Sequence, residues 1–232
     1  MDETVVPLNR KQLWAGILVC VGLLLLTIYP IPLLVKLFNP SKLVYYWSSR
    51  ASFWVCLAIL FIYAAKVEKQ PVLLWKETKQ NLEFYIVSFV AIIIVIFFSS
   101  VIVGLLLRLA HLSSVSKRFL QIIELFRNNK LLMVFTCVTA GVVEEFFCRG
   151  YLMPRLQLLF NRGYITIIIS TLIFALLHAG YGTINQLVGP FVIGLIFALH
   201  YYRFRNIRVI MFCHFFWDLQ ALLLSLWAYK GK

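Results

Sequence analysis

Long apolar segments separated by shorter polar ones run through the 232-residue chain. Each approaches the roughly 20 helical residues that cross a hydrocarbon layer about 30 Å thick. The alternation of apolar and polar residues typical of a membrane β-barrel does not occur. The pattern predicts an all-α fold, a polytopic bundle of transmembrane helices with about seven crossings at residues 13–38, 51–65, 84–107, 131–148, 164–177, 187–202 and 209–228.

Two longer polar segments interrupt this pattern, at residues 66–83 and 108–130. Both mix charged residues with large apolar ones, which is typical of connectors lying along the membrane interface, and the second is predicted to be partly an amphipathic helix. Pro30 and Pro32 predict a bend in the first crossing, because proline interrupts helical hydrogen bonding.

Composition excludes a soluble protein, since 62% of the residues are hydrophobic and only 13% are charged. The formal net charge is +13, and the basic residues lie mainly at the ends of the apolar segments. This distribution suits anionic lipid headgroups, so membrane lipid is an expected partner and nucleic acid is not. The cysteines lie in apolar segments without C-x-x-C spacing and are predicted to be packing residues: Cys20, Cys56, Cys137, Cys148 and Cys213.

The distribution of basic residues also predicts an orientation. Residues 161–163 and 203–208 are basic turns and are assigned to the cytoplasm, whereas residues 179–189 carry no charge and are assigned to the outside. The first apolar segment follows Arg10 and Lys11, as in a signal peptide, but it is too long and no A-x-A-like cleavage site follows it. It is therefore predicted to remain as an anchor.

Charged residues within the apolar segments are informative, because a charge at the bilayer centre costs roughly 3 kcal/mol or more. Of the nine acidic residues, only Glu144, Glu145 and Asp218 lie in such segments. His178 and His214 join them, and Asp218 follows His214 at i+4 on the same predicted helical face. The remaining acidic residues are assigned to the N-terminal tail or the connectors: Asp2, Glu3, Glu68, Glu77, Glu83 and Glu124.

Helix rise places three of these polar residues in one layer. At about 1.5 Å per residue, Glu144 lies about 9 Å from the far face of the membrane. His214 lies about 9 Å from the basic turn that ends at Arg208. An antiparallel hairpin turning at residues 161–163 returns His178 to nearly the level of Glu144. The sequence therefore predicts a single polar layer nearer the cytoplasmic face.

The two adjacent glutamates are predicted to have different tasks, because neighbouring helical residues point about 100° apart. Glu145 and Arg149 stand at i, i+4 in the order that favours an ion pair. Glu144 is then free to face a cavity. There it could deprotonate a water together with His178, and that water could attack a peptide carbonyl.

His214, oriented by Asp218, could donate a hydrogen bond to the oxyanion formed in that attack. A second interpretation of the same atoms is a metal site, in which His178, His214 and a carboxylate hold a divalent ion such as Zn²⁺ with its water. The H-E-x-x-H pattern is absent, so the sequence carries no specific zinc signal. His111 and His200 lie beside basic turns or at segment ends and are predicted to be interfacial.

Two further interpretations compete with a hydrolase. The polar residues could simply hydrogen-bond helices to one another. They could also relay protons or cations in a transporter or channel. A transporter predicts interrupted helices or inverted repeats in matching halves of the chain, and no such symmetry is visible.

Three short motifs occur in order within the second half of the chain. "EEFFCR" at residues 144–149 fits E-E-x-x-x-R, "FALLH" at residues 174–178 fits F-x-x-x-H, and "HFFWD" at residues 214–218 fits H-x-x-x-N/D. Together they resemble the CAAX protease and bacteriocin-processing family, also called the CPBP or Abi family, of glutamic-type intramembrane proteases. The resemblance covers about residues 130–220.

The resemblance implies a helical intramembrane endopeptidase, or CAAX protease. By analogy, Glu144 is the catalytic base that works with His178 on water, and His214 and Asp218 stabilise the oxyanion. Asp218 stands where many members have Asn, and a carboxylate donates a hydrogen bond only when it is protonated. Asp218 is therefore expected to orient His214.

The resemblance also implies that Glu145 and Arg149 support the site. No internal repeat, low-complexity tract or Gly/Ser linker is visible, so one integral membrane domain is expected over residues 1–232, with N-terminal helices and connectors in 1–130 and the catalytic core in 131–228. Expected substrates are membrane-anchored or lipidated proteins and peptides, and the expected location is a prokaryotic inner membrane. A catalytically silent immunity or scaffold protein of the same family is the alternative.

Overall fold

A computed structural model describes residues 8–112 and 115–229. Within these ranges the chain is mostly helical and contains no strand. Seven helical stretches are long and apolar enough to cross a membrane, which confirms the predicted all-α bundle: Arg10–Leu37, Lys42–Glu68, Leu82–Leu109, Lys130–Phe160, Gly163–Tyr181, Asn185–Phe204 and Ile207–Ala228.

The helices are numbered in chain order: α1 (Arg10–Ile28), α2 (Pro30–Leu37), α3 (Lys42–Tyr63), α4 (Leu82–Leu109), α5 (Lys117–Asn128), α6 (Lys130–Thr139), α7 (Met153–Phe160), α8 (Gly163–Leu176), α9 (Asn185–Phe204) and α10 (Ile207–Ala228). Three stretches are π-helical, Ala64–Glu68, Ala140–Glu144 and Phe146–Leu152, and Ala179–Tyr181 forms a 3₁₀ turn.

The first crossing bends where the sequence predicted it. Helix α1 ends before Tyr29, whose φ of −112° and ψ of −71° depart from helical values, and α2 begins at Pro30. Pro30 has no backbone N–H and cannot continue the hydrogen-bond ladder of α1. The crossing therefore consists of two helices, and the short α2 lies beside α3.

The second connector contains the predicted amphipathic helix, α5. Its apolar side carries Ile122, Ile123 and Phe126, which are buried against Met133 of α6 and Leu226 of α10. Burial of each large apolar side chain contributes roughly 1.5 to 3 kcal/mol. These contacts hold α5 against α6 and α10.

The assignment of Glu68 to an interfacial connector is wrong. Glu68 ends the helical stretch that begins at Lys42, and it is only 4% exposed. Its carboxylate pairs with the guanidinium of Arg155 in α7 and accepts a hydrogen bond from the Tyr151 hydroxyl at 2.6 Å. Gly16 of α1 passes so close that a Cβ there would collide with Glu68 and Tyr151. The partner Arg155 lies 87 residues along the chain, so no local pattern could show that this charge is paired.

Glu77 of the same connector also has partners. Its carboxylate accepts a hydrogen bond from the backbone N–H of Ile207 at 2.7 Å and lies 3.2 Å from Nε of Arg208. The connector thereby reaches the first turn of α10, where exposed backbone N–H groups favour an anion. Asp2 and Glu3 of the N-terminal tail lie outside the described residues.

The fourth crossing is not a regular α-helix at its centre. Residues 140–152 are π-helical except for Glu145. The rise of 1.5 Å per residue, from which the depth of Glu144 was predicted, therefore does not hold over this stretch. Its Gly141 lies against α10, where a Cβ would come within 2.8 Å of the Met211 carbonyl oxygen and 2.9 Å of the Phe215 nitrogen. This close approach brings the two glutamates beside α10.

Candidate active site

Glu144 ends the first π-helical segment of the fourth crossing, and its side chain lines a small inner cavity. The residue is 7% exposed, and its Oε2 atom is buried without a hydrogen-bond partner among the described residues. A buried carboxylate oxygen without a partner is costly and normally reflects a function or an ordered water. Glu144 therefore has an oxygen available to accept a proton or a hydrogen bond.

Glu145 is fully buried and faces away from this cavity. Its Oε1 atom lies 2.7 Å from Nη1 of Arg149, so the ion pair predicted from the i, i+4 spacing is present. The same oxygen lies 2.9 Å from Nδ1 of His214. That second contact was not predicted, because His214 lies 69 residues along the chain on another helix. Glu145 thus joins the fourth crossing to α10.

Arg149 is enclosed by groups from its own crossing and from two other helices, α8 and α9. Its Nη2 atom donates to the carbonyl of Gly194 in α9 at 2.8 Å, and its Cζ atom lies 4.3 Å from the centre of the Phe174 ring. Position 194 accommodates only glycine in this packing, because a Cβ there would lie 2.7 Å from the Phe174 side chain. The guanidinium is therefore held by Glu145, by a backbone carbonyl and by a ring face.

His214 is buried and packs between the rings of Phe174 and Phe197, with centroids 5.6 and 5.5 Å away. Its Nε2 atom lies 3.6 Å from Oδ2 of Asp218, which is too long for a hydrogen bond. The residue that hydrogen-bonds His214 is thus Glu145, and Asp218 contributes a nearby charge. His214 does not line the inner cavity.

His178 follows α8 and lines the inner cavity together with Glu144, as the predicted hairpin requires. Its Nδ1 atom lies 3.1 Å from the Phe174 carbonyl oxygen. Because a carbonyl only accepts, Nδ1 carries the proton in this contact and Nε2 of the neutral ring is an acceptor. The Tyr181 ring stacks near His178 with centroids 6.4 Å apart.

Three cavities adjoin one another at this site. The inner cavity has a volume of about 90 Å³, and it shares Tyr46 and Arg118 with an outer groove of about 1010 Å³. It also shares Arg50 and His178 with a side cleft of about 310 Å³ that Asp218 lines. The three cavities therefore lie side by side, with Glu144 in the inner one.

The sequence did not single out Arg50, Arg118 or Tyr181 as site residues. Arg50 immediately precedes an apolar segment and looks like an ordinary membrane boundary, and Arg118 belongs to a connector. Only the packing of α3 and α5 over the turn at Tyr181 brings them to the cavity of Glu144. The other histidines do not join the site: His111 is exposed, and His200 packs against Phe84 and Phe204.

The metal interpretation requires at least three converging ligands. Among the described residues, no group of three His, Cys, Asp or Glu side chains is arranged to hold an ion. Nδ1 of His178 contacts the Phe174 carbonyl, whereas the two nitrogens of His214 face Glu145 and Asp218. In this arrangement the residues do not fit the ligand set of a catalytic zinc.

Residues 126–220 match the family model described as type II CAAX prenyl endopeptidase Rce1-like. No curated protein and no solved structure matches the chain. The matched segment runs from the end of α5 into α10 and includes every predicted site residue. This part of the chain is therefore similar to Rce1-like domains, which is consistent with the CAAX protease family. The match supports an intramembrane CAAX endopeptidase in general terms.

Proposed function

We propose that this protein hydrolyses a peptide bond of a membrane-associated or lipidated substrate, with Glu144 as the general base. The observation that carries the proposal is the contrast between the two adjacent glutamates. Glu144 lines the inner cavity together with His178, whereas Glu145 does not line it and is bonded through Oε1 to Arg149 and His214. The Oε2 atom of each glutamate is buried without a hydrogen-bond partner among the described residues, but only that of Glu144 belongs to a residue that a water in the cavity can reach.

In the proposed reaction, Glu144 takes a proton from a water that also donates a hydrogen bond to Nε2 of His178. The oxygen of that water forms a bond to the peptide carbonyl carbon, and the carbonyl oxygen becomes an oxyanion. The C–N bond then breaks, and Glu144 returns its proton to the leaving nitrogen. General acid and base steps of this kind contribute typically 10²- to 10⁴-fold to the rate.

His214 is the proposed electrostatic partner of the oxyanion. The contact with Glu145 favours an N–H at Nδ1, because the carboxylate accepts. Donation from Nε2 requires a second proton on the ring, and the charges of Glu145 and Asp218 stabilise that cation. His214 is now behind the cavity wall, so this role includes a small movement of its ring on substrate binding.

The outer groove is the proposed entry route for the substrate. It is lined by apolar and aromatic side chains of α2, α3 and α5, and it adjoins the inner cavity at Tyr46 and Arg118. An extended peptide lying in this groove would place a backbone carbonyl beside Glu144. The apolar lining suits a membrane-anchored or lipid-bearing segment.

The test is cleavage of a panel of membrane-anchored peptides by the purified protein in liposomes. Glu144→Gln should lower cleavage at least about 100-fold while the protein stays folded. His178→Gln should also lower it, and His111→Gln, an exposed residue away from the site, is the matched control. Equal cleavage by wild type and Glu144→Gln would remove Glu144 as the base. A parallel arm with a chelator measures metal dependence independently.

A further inference from the structure

Two arginines line the inner cavity with Glu144, and neither forms an ion pair with an acidic side chain among the described residues. The guanidinium of Arg50 lies over the Phe53 ring, with Cζ 5.0 Å from its centre. Arg118 donates from Nη1 to the carbonyl of Gly180 at 3.0 Å. Each guanidinium has five N–H donors, so most of them remain available to a ligand.

Unlike the half-buried Arg50 and the exposed Arg118, the two arginines buried among the described residues are each paired with a carboxylate. Arg149 pairs with Glu145, and Arg155 pairs with Glu68. This is the usual arrangement, because a cation removed from water is costly unless an anion accompanies it. Arg50 is half-buried in a membrane-crossing helix and has no such anion. A ligand that brings a negative charge to Arg50 would supply it.

The charges along the three cavities are unevenly distributed. The outer groove is lined by Lys36, Lys42 and Arg118 and by no acidic residue. The acidic residues that line the adjoining cavities are Glu144 in the inner one and Asp218 in the side cleft. An anionic group on a ligand is therefore attracted to the arginine side and repelled from the two carboxylates.

We infer that Arg50 and Arg118 bind a carboxylate of the peptide substrate and thereby set which peptide bond lies at Glu144. The inference rests on the proposed peptidase function and adds a charge requirement to its substrate. A guanidinium fork matches a carboxylate with two parallel hydrogen bonds. The inner cavity, with a volume of about 90 Å³, has room for a carboxylate beside the two arginines.

The carboxylate can come from two sources, the C-terminus of the substrate or an Asp or Glu side chain. Two peptide pairs distinguish them: one pair differs only in a C-terminal carboxylate or amide, and the other only in an internal Asp or Asn. Wild type should cleave the charged member of one pair about ten- to a hundredfold more efficiently, mainly through a lower KM. Arg50→Gln and Arg118→Gln should each reduce that preference.

Arg108→Gln is the matched control, because Arg108 lies exposed in the last turn of α4, away from the cavity. It should leave the preference unchanged. Arg50→Lys keeps the charge but loses the fork, so it should retain part of the preference. The inference is overturned if wild type cleaves both members of both pairs equally. It is also overturned if the effect of Arg50→Gln depends on anionic lipid in the liposomes and not on the carboxylate of the peptide.

A binding measurement separates this inference from the proposed reaction. The catalytically impaired Glu144→Gln variant is titrated with fluorescent peptides of both pairs, with and without the additional Arg50→Gln change. The carboxylate site is supported if the charged peptide binds more tightly than its uncharged counterpart and if Arg50→Gln abolishes that difference. This holds even if no peptide is cleaved. Cleavage without any charge preference in rate or binding supports the peptidase and rejects the carboxylate site.

Discussion

Neutralising each of the two adjacent glutamates tests the proposed division between a catalytic carboxylate and a structural one. Glu144→Gln and Glu145→Gln replace one carboxylate oxygen by an NH₂ group and preserve shape. Glu145 accepts from Arg149 at 2.7 Å and from His214 at 2.9 Å, whereas Glu144 lines the inner cavity and has no ion pair with Arg149. We therefore expect Glu144→Gln to abolish cleavage and Glu145→Gln to lower stability.

The magnitudes follow from burial. Glu145→Gln leaves the guanidinium of Arg149 buried without its counter-charge, and removal of one partner of a buried ion pair costs about 3 to 5 kcal/mol. This corresponds to a shift of roughly a hundred- to several-thousand-fold in the unfolding equilibrium. Glu144→Gln removes a buried carboxylate that has no ion pair within hydrogen-bonding distance and whose Oε2 has no hydrogen-bond partner, so its effect on the unfolding free energy should be small.

The assay is chemical unfolding in detergent micelles followed by tryptophan fluorescence, with cleavage measured on the same preparations. Glu144→Gln should be as stable as wild type and inactive, and Glu145→Gln should be strongly destabilised. The double variant Glu145→Gln, Arg149→Met removes both charges and should regain part of the lost stability. Comparable destabilisation by the two single substitutions would refute the assignment of separate tasks to the glutamates.

Three other predictions test the packing around the site. Gly141→Ala should lower cleavage at least about tenfold, because its Cβ meets the backbone of α10, whereas Gly104→Ala, with no atom within 4 Å, should leave cleavage unchanged in the same assay. Glu68→Ala should destabilise the protein by about 3 to 5 kcal/mol in chemical unfolding, because it leaves Arg155 buried and unpaired. Glu124→Ala is its control: its exposed pair with an arginine should contribute less than about 1 kcal/mol, and equal losses would contradict the difference in burial. All five cysteines are buried, so a maleimide should label none of them in the folded protein and should label them after unfolding, as measured by mass shift. Rapid labelling of the folded protein would contradict their packing role.

The membrane architecture could be predicted from the sequence because it depends on local composition. Apolar length alone indicated seven crossings, and each predicted segment lies in a crossing helix of the structure. The bend at Pro30 and the amphipathic helix α5 were also predictable, since both depend on residues adjacent in sequence. The π-helical geometry of residues 140–152 was not, because it depends on how that crossing packs against its neighbours.

Some contacts of the candidate site could likewise be predicted from local sequence, and others could not. The ion pair of Glu145 with Arg149 follows from a spacing of four residues within one helix. The contact of Glu145 with His214 joins different helices and has no local signal. Arg50 and Arg118 resembled boundary residues, and only the positions of α3 and α5 placed them beside Glu144.

By itself, the sequence determined a membrane-embedded helical bundle. It also identified polar residues whose burial in the membrane costs enough free energy to indicate a function. The hydrocarbon layer imposes those constraints on every residue within it, so they can be derived without knowing the fold. The tertiary structure alone decided which charges are neutralised between helices. Glu68 has a buried cationic partner in another helix, while Glu144 faces a cavity with unpaired arginines. Charge pairing between helices depends on distances of a few ångströms, and those distances are set by packing.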